Sequence, residues 1–261
     1  MDKKLLLTIM FSALLGLNIN AQWQPIGPGG GIIRAFAAGG SNIFAGTFGG
    51  GVFLTSNNGT LWTPVNNGLT NTNVQALATT SGGTTVFAGT YAGGVFLSTN
   101  SGSSWTAVNS GLTNLFVSSL AIKGTTIFAG TTGGVFISNN NGTSWTVVNN
   151  GLGTTLDVLC LAVRGTDILA GTGSAGVFLS ANDGGLWVQK NNGIGDLYVN
   201  ALAVNGTKLF AGNNNGVYSS VNSGSNWSIA KSTPGLVKSI DISGSTIYAG
   251  YGTMTSGGIA K

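Results

Sequence analysis

Ser138-Asn139-Asn140-Asn141-Gly142-Thr143-Ser144-Trp145 is the stretch from which the fold can be read. It recurs at Thr55–Trp62, Ser98–Trp105, Ser180–Trp187 and Ser220–Trp227, each time as S/T-x-N-x-G-x-x-W. With Trp23 added, the tryptophans are spaced 39, 43, 40, 42 and 40 residues apart. A fixed period near 40 marks a repeat architecture in which each copy is one supersecondary unit. Every copy has turn chemistry. The asparagine (Asn57, Asn100, Asn140, Asn182, Asn222) can bond backbone amides two residues on, and Gly59, Gly102, Gly142, Gly184 and Gly224 supply positive φ. The Ser or Thr hydroxyl adds a local bond to the backbone. The tryptophan (Trp62, Trp105, Trp145, Trp187, Trp227) opens the next strand and carries a large apolar ring into the core. The box predicts a hairpin turn with an indole-anchored outgoing strand.

Between boxes the order is constant. In residues 187–226, Trp187-Val188-Gln189 reads as a strand and Asn191-Asn192-Gly193 as a loop. Val199 to Val204, Leu209 to Gly212 and Gly216 to Tyr218 read as three further strands. Short β-rich runs punctuated by Gly and Asn indicate an all-β fold, and four strands in about 40 residues make a propeller blade. The third strand occurs six times, as Phe44-Ala45-Gly46, Phe87-Ala88-Gly89, Phe128-Ala129-Gly130, Leu169-Ala170-Gly171, Phe210-Ala211-Gly212 and Tyr248-Ala249-Gly250. The last copy lacks a box, while an unmatched Trp23-Gln24-Pro25-Ile26 stands at the other end. The expected architecture is a six-bladed β-propeller of four-stranded antiparallel blades, its ring closed by the N-terminal strand completing the last blade. An open solenoid is the other arrangement such repeats allow. Strands are lettered a to d from the axis outward, so each tryptophan opens strand d. The boxes (c–d turns) then share one face with the a–b turns, and the d–a and b–c loops share the other.

The boxes resemble the Asp-box, or BNR repeat, of sialidases, xyloglucan-cleaving glycosidases, sortilin-type receptor domains and photosystem II assembly factors. Here the usual Asp is Asn in all five copies, which keeps the carbonyl acceptor and drops the charge. The resemblance implies a propeller whose ligand site lies on the d–a/b–c loop face. It does not fix an activity, because one fold hosts many. Sialidases of this family use three arginines and a Tyr–Glu pair. This chain has only Arg34 and Arg164 and no Glu, so it lacks that machinery.

Met1 to Ala21 has the form of a secretory signal peptide: Lys3 and Lys4, an apolar run from Leu5 to Leu17, and a small residue before Gln22. The run is too short to span a bilayer comfortably. Residues 22–261 are then a single propeller domain in an exported chain, whether secreted, periplasmic or at the cell surface. Only 6% of residues are charged. The basic residues are scattered, which argues against nucleic-acid binding. No His, no Glu and one cysteine leave no transition-metal site and no disulfide. An oxygen-ligand calcium site is conceivable only at Asn182-Asp183-Gly184. Serine or cysteine catalysis through histidine is absent, and no cofactor is implied.

Two candidate sites remain. Asp157 and Asp196 lie in successive d–a loops and would be the carboxylate pair of a glycosidase, although neither has a neighbour that would raise its pKa. The second site follows from variation within the repeat. Strand a varies freely at Arg34, Gln75, Ser118, Leu159, Asn200 and Lys238, and the loops of the same face carry Phe48, Tyr91, Phe116, Tyr198 and Tyr251. Rings with polar neighbours are the usual equipment for stacking on a sugar or peptide. The expected ligand site is Arg34, Lys238, Gln75, Asn200, Tyr91, Tyr198 and Tyr251. The reading is a non-catalytic, monomeric, non-spanning binding module for a glycan or protein ligand. Its alternatives are a hydrolase using Asp157 and Asp196, and a scaffold for assembling another complex.

Overall fold

The computed structural model describes residues 27–154, 156–252 and 257–261. No helix occurs among them, and the strands fall in chain order into six antiparallel sheets. Blade 3 shows the plan: a is Val117–Lys123, b Thr126–Thr131, c Gly134–Ser138 and d Thr146–Val147. Each strand pairs with the next in sequence. Five sheets have all four strands, whereas blade 6 shows Leu236–Ser243, Thr246–Gly252 and Gly257–Ala260. The strand expected to complete it, Trp23 to Ile26, and the expected signal peptide lie outside the described residues. Successive blades pack a-strand against a-strand around the axis. The molecule is a six-bladed β-propeller.

The repeated Phe-Ala-Gly explains how blades stack. Phe128, Ala129 and Gly130 of strand b are all buried. A Cβ on Gly130 would lie 2.7 Å from Val158 Cγ1, so the absent side chain lets the next blade's innermost strand settle onto this one. The core therefore consists of layers between blades. One layer joins Phe87, Val95 and Val108 of blade 2 to Ile127, Ala129, Phe136 and Trp145 of blade 3.

The box tryptophan belongs to such a layer. Trp145 is 4% exposed, and its Nε1 donates to the Val108 carbonyl, directly after strand d of the preceding blade (2.7 Å). Trp105, Trp187 and Trp227 donate in the same way to Val65, Val148 and Lys190, three residues after the previous box tryptophan. The indole thus ties neighbouring blades together. In the box turn itself, the asparagine reaches further than the expected two residues. Asn140 Oδ1 accepts from the Ser144 amide, four residues on, while the Ser138 hydroxyl donates to Asn140 Oδ1 and accepts from the Gly142 amide. Asn141 (φ 56°) and Gly142 (φ 82°) are both left-handed, which closes a turn wider than a two-residue hairpin. Asn66, Asn109, Asn149 and Asn191 hold the start of strand c. Asn149 Oδ1 accepts from the Val135 amide and its Nδ2 donates to the Gly133 carbonyl, replacing two missing ladder bonds.

The seam between blades 1 and 6 differs from the other interfaces. Phe36 occupies the strand-a position that Leu77 fills in blade 2, yet it is 58% exposed against 8% for Leu77. Ile259 is 54% exposed at the position where Val95, Val135 and Val177 are fully buried.

Candidate functional site

The freely varying position of strand a has a structural cause. In blades 1, 2, 3, 4 and 6 the a–b register slips by one residue at Arg34, Gln75, Ser118, Leu159 and Lys238, each left without a partner in the ladder. A β-bulge re-aims its extra side chain, so repeat packing does not constrain this residue. The bulges ring the axis at one end of the innermost strands. Asn200, the equivalent residue of blade 5, reaches the Lys238 carbonyl of blade 6 through its Nδ2 (3.4 Å).

Beside this ring the loop face carries a continuous aromatic stripe. Phe48 meets Tyr91 edge-on at 6.3 Å between centroids, and Tyr91 meets Phe116 edge-on at 4.9 Å. All three are exposed, Tyr91 to 52%. The rings come from blade 1, blade 2 and the approach to blade 3. Backbone bonds tie the three segments together: Phe48 bridges to Asn73, the Tyr91 amide donates to the Asn73 carbonyl, and the Gly94 amide donates to the Leu115 carbonyl beside Phe116. The Arg34 guanidinium lies 5.8 Å from the Phe48 centroid and puts a cation at one end of the stripe.

The structure therefore unites Arg34 and Tyr91, and it adds Phe48 and Phe116 to the core of the site. Phe48 ends strand b of blade 1 and Phe116 lies in the loop before blade 3, and sequence position gave them no priority over Tyr198. Gln75 is half-buried on the bulge ring, Asn200 is half-buried at the equivalent position of blade 5, which has no bulge, and Lys238 is exposed. Tyr198 is exposed at the approach to blade 5, away from the stripe. Tyr251 is not in a loop; it lies within strand b of blade 6 (Thr246–Gly252) and packs against that blade's core.

The two carboxylates occupy non-equivalent positions. Asp196 caps its loop, accepting from the Tyr198 amide and from Asn214 Nδ2, as Asn114 does two blades earlier. Asp157 directly precedes Val158, at the repeat position of Phe116 and Tyr198. Desolvation pushes its carboxyl above the usual carboxylate range, a shift not expected from its sequence neighbours. Asp167 pairs with Arg164, and the Asp183 carboxylate is taken by the Lys123 ammonium, which leaves no free acid in the one box with calcium-like sequence. No group of three metal-ligating side chains occurs among the described residues. Burial pushes the Cys160 thiol up to about 12, and its Sγ faces the Val199 carbonyl, the environment of an unreactive packing residue.

No protein-family model matches the chain, and no curated protein does. Solved structures do. An ancestral GH74 enzyme is 25% identical with a TM-score of 0.66 over 90% of this chain and 36% of its own. The extracellular domain of a one component system from B. thetaiotaomicron is 18% identical with a TM-score of 0.70, over 87% of this chain and 33% of its own. The computationally designed Ika8 protein is 14% identical with a TM-score of 0.63, over 85% of this chain and 68% of its own. The chain spans about a third of the length of the two natural-type neighbours. These are β-propellers of several kinds, and fold and site together define a propeller with an aromatic loop face edged by a cation. No helix of the described residues is long and apolar enough to cross a membrane.

Proposed function

We propose that this chain is an exported, non-catalytic propeller of the Asp-box type that binds a glycan or an extended peptide across the loop face. The observation that carries the reading is the Phe48–Tyr91–Phe116 stripe with Arg34 at its end. Three exposed rings held by backbone bonds form a rigid apolar track, and rigid aromatic surface binds at low entropic cost. The bulge ring beside it offers amides at Gln75 and Asn200 and a second cation at Lys238, fitting a ligand with an acidic or strongly hydrogen-bonding group. Export is supported by the basic-then-apolar opening of the sequence. The test is a glycan and peptide array probed with the parent protein and with Tyr91→Ala. The parent should be retained on a defined set, and the variant should lose at least tenfold in affinity, about 1.4 kcal/mol. Equal binding by the two proteins would remove the stripe from the site.

A second reading, a glycosidase using Asp157 and Asp196, is favoured by the raised pKa of Asp157 and by the GH74 likeness. It requires Asp196 to leave its capping role. Turnover of an oligosaccharide that is lost in Asp157→Asn would establish it.

A further inference from the structure

On the loop face, blades 2, 3 and 4 each present a matched pair of residues. One directly precedes the buried valine of strand a, and the other directly follows the buried threonine of strand b. Blade 2 supplies Asn73 and Tyr91, blade 3 Phe116 and Thr132, and blade 4 Asp157 and Gly173. In each pair the second residue's amide donates to the first residue's carbonyl. The aromatic stripe takes its rings from these positions up to Phe116, so Asp157 is the next such position along the same track. The carboxylate is left open by its partner. Blades 1, 2, 3 and 5 have Phe48, Tyr91, Thr132 and Asn214 where blade 4 has Gly173. A Cβ on Gly173 would lie 2.7 Å from Asp157 Oδ2, so the acid lies over bare backbone. It is half-buried, and no donor among the described residues bonds its side-chain oxygens. The other four described aspartates each have such a donor. Burial without a donor is what pushes the Asp157 carboxyl up.

Building on the loop-face reading above, we infer that Asp157 is a cation subsite and that the ligand is an extended peptide with a Lys or Arg side chain seated on it. The peptide's apolar side chains lie along the stripe, and an acidic group meets Arg34 at the far end. A half-desolvated carboxylate with no partner in its own chain gains most from a charged donor supplied by a ligand. The track therefore has an anion at one end, a cation at the other and apolar rings between. A peptide carries both signs and apolar groups on one chain. An acidic glycan answers only Arg34, and an amino-glycan answers only Asp157. Ring geometry favours the same class. The stripe's rings stand at 66° and 84° to one another, so they share no plane and offer notches for side chains in place of one flat platform for sugar faces.

The probes are a positional-scanning array of synthetic nonapeptides and, beside it, chitosan oligomers, which carry an ammonium on a glycan. The parent should select Lys or Arg at one peptide position. Asp157→Asn should bind the selected peptides at least tenfold more weakly, yet bind matched peptides with norleucine in place of the basic residue as the parent does. Gly173→Ala keeps the acid but sets a Cβ against it, and should show the same selective loss. A variant that merely misfolds would lose both peptide series, and the other variant then decides. Peptide binding with no basic preference, or unchanged in both variants, would overturn the cation subsite. Asp157-dependent retention of chitosan in place of peptides would overturn the peptide ligand, and retention of neither probe would overturn the subsite as well. Tyr91→Ala on the same array separates the two readings. A loss there with none in Asp157→Asn leaves the stripe standing and removes the subsite; the reverse keeps the subsite and removes the stripe.

Discussion

At the scale of single residues, the box shows which features carry the fold. Trp145 is buried, hydrogen-bonded across the blade boundary and surrounded by two blades' side chains. Trp145→Ala should cost about 3–5 kcal/mol in denaturant melts, the range for emptying a buried aromatic site. A loss under about 1 kcal/mol would contradict its place in the core. Asn100 and Asn140 donate through Nδ2 to Ser104 and Ser144, a bond a carboxylate has no proton to make. Asp157 gives a prediction with a sign. Its folded-state pKa is raised, so the folded protein takes up the proton first as pH falls. Stability should therefore rise on acidification through the raised pKa, down to the ordinary carboxylate value, and the ionised form destabilises at neutral pH. Asp157→Asn should flatten that part of the melting-temperature profile and raise the melting point at pH 7. A profile identical to the parent's would contradict the desolvation.

At the scale of elements, sequence and structure meet in strand a. Its freely varying position was legible because every neighbouring position repeats, but the cause was not. A bulge is a register slip against the partner strand, and that partner's spacing is visible only once both strands are placed. The aromatic stripe was legible only in part for a related reason. Phe48, Tyr91 and Phe116 belong to different repeats and meet because neighbouring blades bring a b–c turn beside a d–a loop. Tyr251 was misplaced because it follows Tyr248-Ala249-Gly250 at the position of the buried Thr or Asn of other blades, which lies inside strand b and not in the loop after it. The bulge ring yields its own prediction. Replacing both Arg34 and Lys238 by Gln should weaken binding of an acidic ligand at least tenfold, about 1.4 kcal/mol, and flatten its salt dependence. Unchanged affinity at low salt would take the two cations out of the site.

At the scale of the whole molecule, blade number, strand order and the sharing of faces all follow from a period near 40 and four strands per period. The box face is occupied by its own contacts, including the pairs Lys123–Asp183 and Arg164–Asp167. The opposite face keeps its rings exposed, and the proposed binding falls there. Hydrogen exchange with and without the retained array ligand tests this assignment most directly. Protection on binding is expected at the amides of residues 48–50, 91–93 and 114–117, with none at the box turns. Protection confined to the boxes or the a–b turns would contradict it.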